Sequence, residues 1–167
     1  MASPKDVVVG VKPDQVDSST SPGWTTGAET RLSDGGKMIY VRATSEISAY
    51  QAVVLLNDTS AVGGLGAVPA TTTNDLTSKR IAFAQNNISS SNYGWVQQGG
   101  RPLVNLATNC APNVPLYTTA TAGALDDATI SGHLVGGIIA ETTISNATAV
   151  TINAAAGFII GGAATGI

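Results

Sequence analysis

The chain has 167 residues, only 11% of them charged, and a formal net charge of −3. That length fits one domain with enough surface to bury a core, and the ordinary hydrophobic share of 43% argues against compositional disorder. All eight Lys and Arg lie at or before Arg101, so no basic stripe exists and nucleic acid is not an expected partner.

Residues 1–35 read as an extended N-terminal arm. After Val7, Val8, Val9 and Val11 come Pro13, a Ser/Thr/Asp run over 17–21, Pro22-Gly23 and a second polar run to Gly35-Gly36. Trp24 and Leu32 are the only large apolar residues between Lys12 and Met38. Such a segment cannot bury itself. A tryptophan there has no local core and reads as a partner-docking residue, while Val7–Val9 distinguish the arm from a solvated tail.

Residues 36–167 form the β-rich body. In KMIYVRAT, Ile39, Val41 and Ala43 share one face of a strand, with Met38, Tyr40 and Arg42 on the other. After a bend holding Ile47, QAVVLL (51–56) forms a second strand. A helix over 46–56 capped by Ser45 competes with it, but Val53-Val54 and the lack of a helical stripe favour the strand. Residues 57–79 read as a Gly/Ala/Thr loop, flexible around GGLG (63–66). RIAFA (80–84) is a strand. GWVQQ (94–98) and PLVNL (102–106) form an expected hairpin around Gly99-Gly100. PLYTT (115–119), LVGGIIAETT (134–143), TAVTIN (148–153) and FII (158–160) complete about eight or nine short strands. The fold class is therefore all-β, a small barrel or sandwich.

Catalytic constellations are missing from the sequence. His133 is the only histidine and has neither a second imidazole nor a carboxylate cluster in sequence to make it a ligand. Cys110, the only cysteine, excludes an internal disulfide and reads as a small buried apolar group between the turn residues Asn109 and Asn113. Asp126-Asp127 reads as a solvated turn, too sparse for Ca²⁺. GGLG lacks the residues of a phosphate-binding loop. No enzyme activity, cofactor or metal is expected. Nucleotide hydrolysis would need clustered carboxylates, whereas the eleven acids are scattered.

No signal peptide is expected at the N-terminus. The uncharged tail over 142–167 is broken by Asn146, Asn153 and four glycines, so it reads as buried strands and no membrane association is expected. Tyr93 and Trp95 flank Gly94 and share a strand face. Core packing is one reading. A subunit interface is the other, since Tyr and Trp are enriched there; Arg101, just beyond, joins them as an interface candidate.

Three phrases, DGGKMIYVRATSEISAYQAVVL, RIAFAQNNISSSNYGWVQQGG and PLYTTATAGALDDATISGHLVGGIIA, together resemble small head-decoration, or capsid cement, proteins of tailed bacteriophages across residues 34–143. The resemblance implies a β-rich body that assembles as a homotrimer. It further implies binding to the major capsid protein on the outer surface of the virion, after synthesis in the host cytoplasm. It also implies that the arm, through Val7, Val8, Val9 and Val11, adds a strand to capsid elements, with Trp24 docking beside it. A head-fibre or adhesin module binding host glycans through exposed Tyr40, Tyr50 and Tyr93 is the alternative.

Overall fold

The computed structural model describes residues 11–73, 79–129 and 133–140, and the backbone of 149–154 and 159–162. Its described residues contain no helix. In chain order the strands are β1 (Val16–Asp17), β2 (Glu29–Arg31), β3 (Lys37–Ala43), β4 (Ala52–Asn57), β5 (Leu65–Pro69), β6 (Arg80–Ala84) and β7 (Tyr93–Gly99). They continue with β8 (Leu103–Asn105), β9 (Leu116–Thr118), β10 (Leu125–Asp126), β11 (Leu134–Val135), β12 (Ile138–Ala140), β13 (Ala149–Ala154) and β14 (Ile159–Gly162).

Five of these close into a barrel. β3 pairs in parallel with β5 at Arg42↔Gly66, and the remaining seams, β5–β4, β4–β6, β6–β7 and β7–β3, are antiparallel. The β7–β3 seam, from Lys37↔Gly99 to Arg42↔Tyr93, seals the ring. Closure leaves the five strands no free edge along the ring.

The side chains sort by the two-residue period of each strand. Ile39, Val41 and Ala43 of β3, Val53 and Leu55 of β4, Ala67 of β5, Ala82 and Ala84 of β6, and Val96 of β7 share an interior cluster with Ile47 and Ile88. Ile47 and Ile88 pair as an isolated bridge, their backbones exchanging hydrogen bonds of 3.0 and 2.8 Å. Small residues are needed in so narrow a barrel: a Cβ on Gly94 would stand 2.7 Å from Ile88 Cδ1.

The outward faces are also apolar, so both flanks are covered. Ala52 and Val54 of β4 and Ile81 and Phe83 of β6 pack with Val104, Leu106, Leu116, Leu125 and Val135 from the C-terminal half. There β14 extends the sheet from β6 and carries β11, β9 and β10, while β12, β13 and β8 form a separate three-stranded sheet. On the other flank, Met38, Tyr40, Tyr93 and Trp95 pack under Val11, Ala28 and Leu32. Residues 11–35 thus lie along the barrel, with β1 paired to β7 at Val16↔Gly94 and β2 to β3 at Thr30↔Met38.

Three sequence expectations change. Residues 57–79, read as a loop, contain β5 (Leu65–Pro69), whose small and β-branched residues pair with β3 and β4 and so become a strand through partners distant in the chain. The hairpin around Gly99-Gly100 does not form: Gly100 turns with φ +85°, but β8 pairs with β13 instead of β7. β7 already has β3 on one side and β6 on the other, so no edge remained for a hairpin partner. The single strand expected from Leu134 breaks at Gly136-Gly137 into β11 and β12, which enter different sheets; Gly137, at φ +81°, makes the turn. The part of that segment beyond Ala140 lies outside the described residues.

The loop between β4 and β5 is pinned where the sequence suggested flexibility. Gly63 sits at φ +106°, and a Cβ there would lie 2.5 Å from Thr26 O. The carbonyl of Val62 accepts both the N–H and the hydroxyl of Thr26, at 2.7 and 3.0 Å. Thr26 Oγ1 in turn accepts from Leu65 N at 3.0 Å. We expect Gly63→Ala to lower stability by about 1–3 kcal/mol, since it combines a left-handed backbone with a backbone clash. Urea unfolding followed by tryptophan fluorescence checks this.

Candidate interaction surface

The N-terminal segment is tied to the barrel by one polar knot. Tyr40, fully buried on the outer face of β3, donates its hydroxyl hydrogen to Asp17 Oδ2. Gly23 N donates to that carboxylate at 3.1 Å and to Tyr40 Oη at 3.2 Å, and Gln15 Nε2 donates to Asp17 at 2.9 Å. Burial opposes the charge on Asp17, but the hydrogen bonds from Gln15, Tyr40 and Gly23 outweigh it and hold the carboxyl below its ordinary value. Burial, and then the Asp17 hydrogen bond and charge, push the Tyr40 phenol well above its ordinary range.

Beside the knot the aromatic rings form a chain. Tyr40 and Tyr93 stack at 5.9 Å with their planes 13° apart, and Tyr40 meets Trp95 at 5.1 Å. Trp24 stands edge-on to Trp95, with centroids 6.0 Å apart and an interplanar angle of 67°. Trp95 is only 2% exposed, whereas Trp24 is 40% exposed. One indole is therefore a platform and the other the outer surface of the stack. Val62, 53% exposed, is held by Thr26 two residues beyond Trp24, and Val16 of β1 is 39% exposed. Isolated exposed apolar residues are ordinary; a tryptophan stacked on a buried tryptophan resembles an interface hot spot.

A groove of about 580 Å³ runs beside this pair, lined by Val11, Trp24, Trp95, Lys37, Ala28 and β2. Lys37 bridges to Glu29 at 2.7 Å on its wall. β2 is an edge strand: among the described residues it pairs with β3 only. Leu32 N donates to Gly36 O at 2.8 Å and Tyr40 N to Ala28 O at 2.9 Å. By antiparallel alternation the even-numbered residues face β3, so the N–H and C=O groups of Glu29 and Arg31 point away from it. The indole N–H of Trp95 is buried without an acceptor.

The remaining predicted site residues scatter. Val7, Val8 and Val9 lie outside the described residues, and Val11 is buried in the groove wall. Tyr93 and Trp95 are covered within the chain by the N-terminal segment, and Arg101 is exposed beyond β7. The glycan reading loses two stacking surfaces, because Tyr40 and Tyr93 are buried and Tyr50 alone of the three is partly exposed.

Sequence reading also missed that the fold brings Cys110 to Asp126 and Asp127. One Cys Sγ and a carboxylate oxygen from each Asp lie within 4.8 Å of one another. Asp127 is more than a solvated turn residue, since its Oδ2 accepts Ala111 N at 3.0 Å and holds the loop carrying Cys110. Asn109 and Asn113 bracket that loop at φ +66° and +59°, the conformation asparagine tolerates best after glycine. Burial, then the charges of Asp127 and Asp126, push the Cys110 thiol up to about 11. Burial and the Asp127 carboxyl raise Asp126. A protonated thiol and two neighbouring carboxyls fall short of the four-ligand set of a structural zinc site.

No family model matches the chain, and no curated protein does. Among solved structures it is similar to the crystal structure of the head fiber gp8.5 N base of bacteriophage phi29. The two share 15% identity over 73% of this chain and 92% of that one, with a TM-score of 0.49.

Two measurements check this geometry. The depressed Asp17 carboxyl contributes stability that is present above its ordinary value of 3.8 and is lost as pH falls below it. An acid titration of tryptophan fluorescence should therefore show Trp24 leaving Trp95 in that range, and Asp17→Asn should abolish the transition. Cys110, buried and protonated, should resist a thiol reagent at pH 8 in the native protein and react fully in denaturant.

Proposed function

We propose that this chain is a structural protein of a bacteriophage head, a decoration protein that binds the outside of the capsid and bridges major capsid subunits as a homotrimer. The observation that carries the reading is the half-exposed Trp24 braced on buried Trp95 beside the open edge of β2. An exposed aromatic anchor on a rigid platform suits contact with capsid subunits, and the unpaired main-chain groups beside it suit strand addition by a neighbouring copy in the trimer. It suits sugar binding less well, now that Tyr40 and Tyr93 are buried. The sequence phrases over 34–143 support the same reading through their resemblance to cement proteins.

A cement function follows from linkage. A protein that binds only the mature lattice stabilises that lattice, and a trimer holds firmly through contacts that are individually weak. The surface of hydroxyls, amides and small side chains, with charges at 11%, suits a body largely surrounded by other subunits.

Trp24→Ala should weaken binding to capsids lacking the protein by about 2 kcal/mol or more, the range of an aromatic hot spot. That is roughly a 30-fold or greater rise in Kd, while the isolated variant keeps its fold. Co-sedimentation of purified protein with such capsids measures it. Undiminished binding would remove Trp24 from the contact, and binding to host cells without capsid would favour the adhesin role instead.

A further inference from the structure

We infer that the groove between Trp24 and the free edge of β2 is the receptor for residues Lys5–Val9 of a second copy of this chain. The inference deepens the trimer part of the proposed function and concerns the isolated protein, so it is tested without capsid.

The groove has two needs that an extended apolar segment meets. Glu29 and Arg31 direct their main-chain N–H and C=O groups away from β3, and no described strand takes them. Such an edge is a template for one further strand. Its floor and wall are Trp24, Trp95, Val11 and Ala28, which suit branched aliphatic side chains. Trp95, one of the lining residues, also has a buried indole N–H without an acceptor among the described residues. Arg31 lines the groove beside the Lys37–Glu29 ion pair, so Arg31 offers a positive charge to Asp6.

The chain carries one segment of this chemistry, KDVVV at residues 5–9. Five extended residues span about 17 Å, more than the roughly 10 Å of a three-residue edge strand. The described chain begins at Val11, already in the groove wall with its side chain buried beside Trp95 and Met38. Only Gly10 separates Val11 from Val9. A segment returning onto its own groove would use Val9 and Gly10 as the turn and lose the third valine. A segment from another copy presents Val7, Val8 and Val9 together. Each copy then donates one segment and offers one groove, a head-to-tail contact that closes when the rotation forms a ring.

The test uses full-length chain with two independent single substitutions, Val8→Asp in the donor and Arg31→Pro on the acceptor. Arg31→Pro removes an N–H that points away from β3, a change edge strands tolerate. By light scattering after size exclusion, the unaltered protein should be a trimer and both variants monomers, each with native circular dichroism. A peptide of residues 1–11 should bind the Val8→Asp chain with a change in tryptophan fluorescence, and bind the Arg31→Pro chain at least tenfold more weakly. A trimer that survives either substitution overturns the inference. So does a monomeric unaltered protein, which with peptide binding to the Val8→Asp chain would assign the groove to the chain's own segment. Absence of peptide binding by a groove that still binds capsid would assign it to a capsid strand, leaving the capsid-binding reading intact.

Discussion

The pairing of β3 with β7 is the contact on which the rest of the molecule depends. It closes the five-stranded ring, and because both strands are apolar on both faces it creates two surfaces that must be buried. The inner one is filled by Ile39, Val41 and Val96. The outer one carries Met38, Tyr40, Tyr93 and Trp95, all at most 2% exposed, and residues of the 11–35 segment, with Ala61, pack over them. A barrel with an aromatic outer face cannot be left bare in water, so the N-terminal segment is a structural part of the body.

The manner of that coverage produces the candidate surface. The segment is poor in large apolar groups, and its attachment relies on hydrogen bonds: Asp17 with Tyr40 and Gly23, and Thr26 with Val62 and Leu65. Polar attachment fixes the segment's path without hiding all of its side chains. Trp24 ends half exposed on Trp95, and β2 ends with one edge paired and the other open. A candidate interaction surface of this kind arises from incomplete coverage over a rigid platform.

The opposite flank is built differently. There Phe83 and Ile81 are covered by apolar side chains from β8 to β12. The Cys110 neighbourhood lies on this flank, and its buried, protonated thiol fits packing better than reactivity. The proposed contact is placed on the N-terminal side because the exposed Trp24 and the open edge of β2 lie there.

Local pattern alone determined much of the fold. The alternation in KMIYVRA placed Ile39, Val41 and Ala43 on one face and Met38 and Tyr40 on the other, because a strand's two-residue period depends on its own backbone. The all-β class, the strand at 51–56 in preference to a helix, and the shared face of Tyr93 and Trp95 were legible for the same reason. What depended on distant partners was not legible. No local signal told β8 to leave β7 for β13, since the edges of β7 were taken by strands as distant as β3. Nor did any place Trp24 on Trp95, or Cys110 beside Asp126 and Asp127. The sequence by itself determined most of the longer strands and which way they face, but not β1, β2, β5 or β10, which fell in stretches read as arm, loop or turn. Only the tertiary structure decided which edges remain open and which aromatic ring stays in the light, because edge pairing and coverage are settled between segments far apart in the chain.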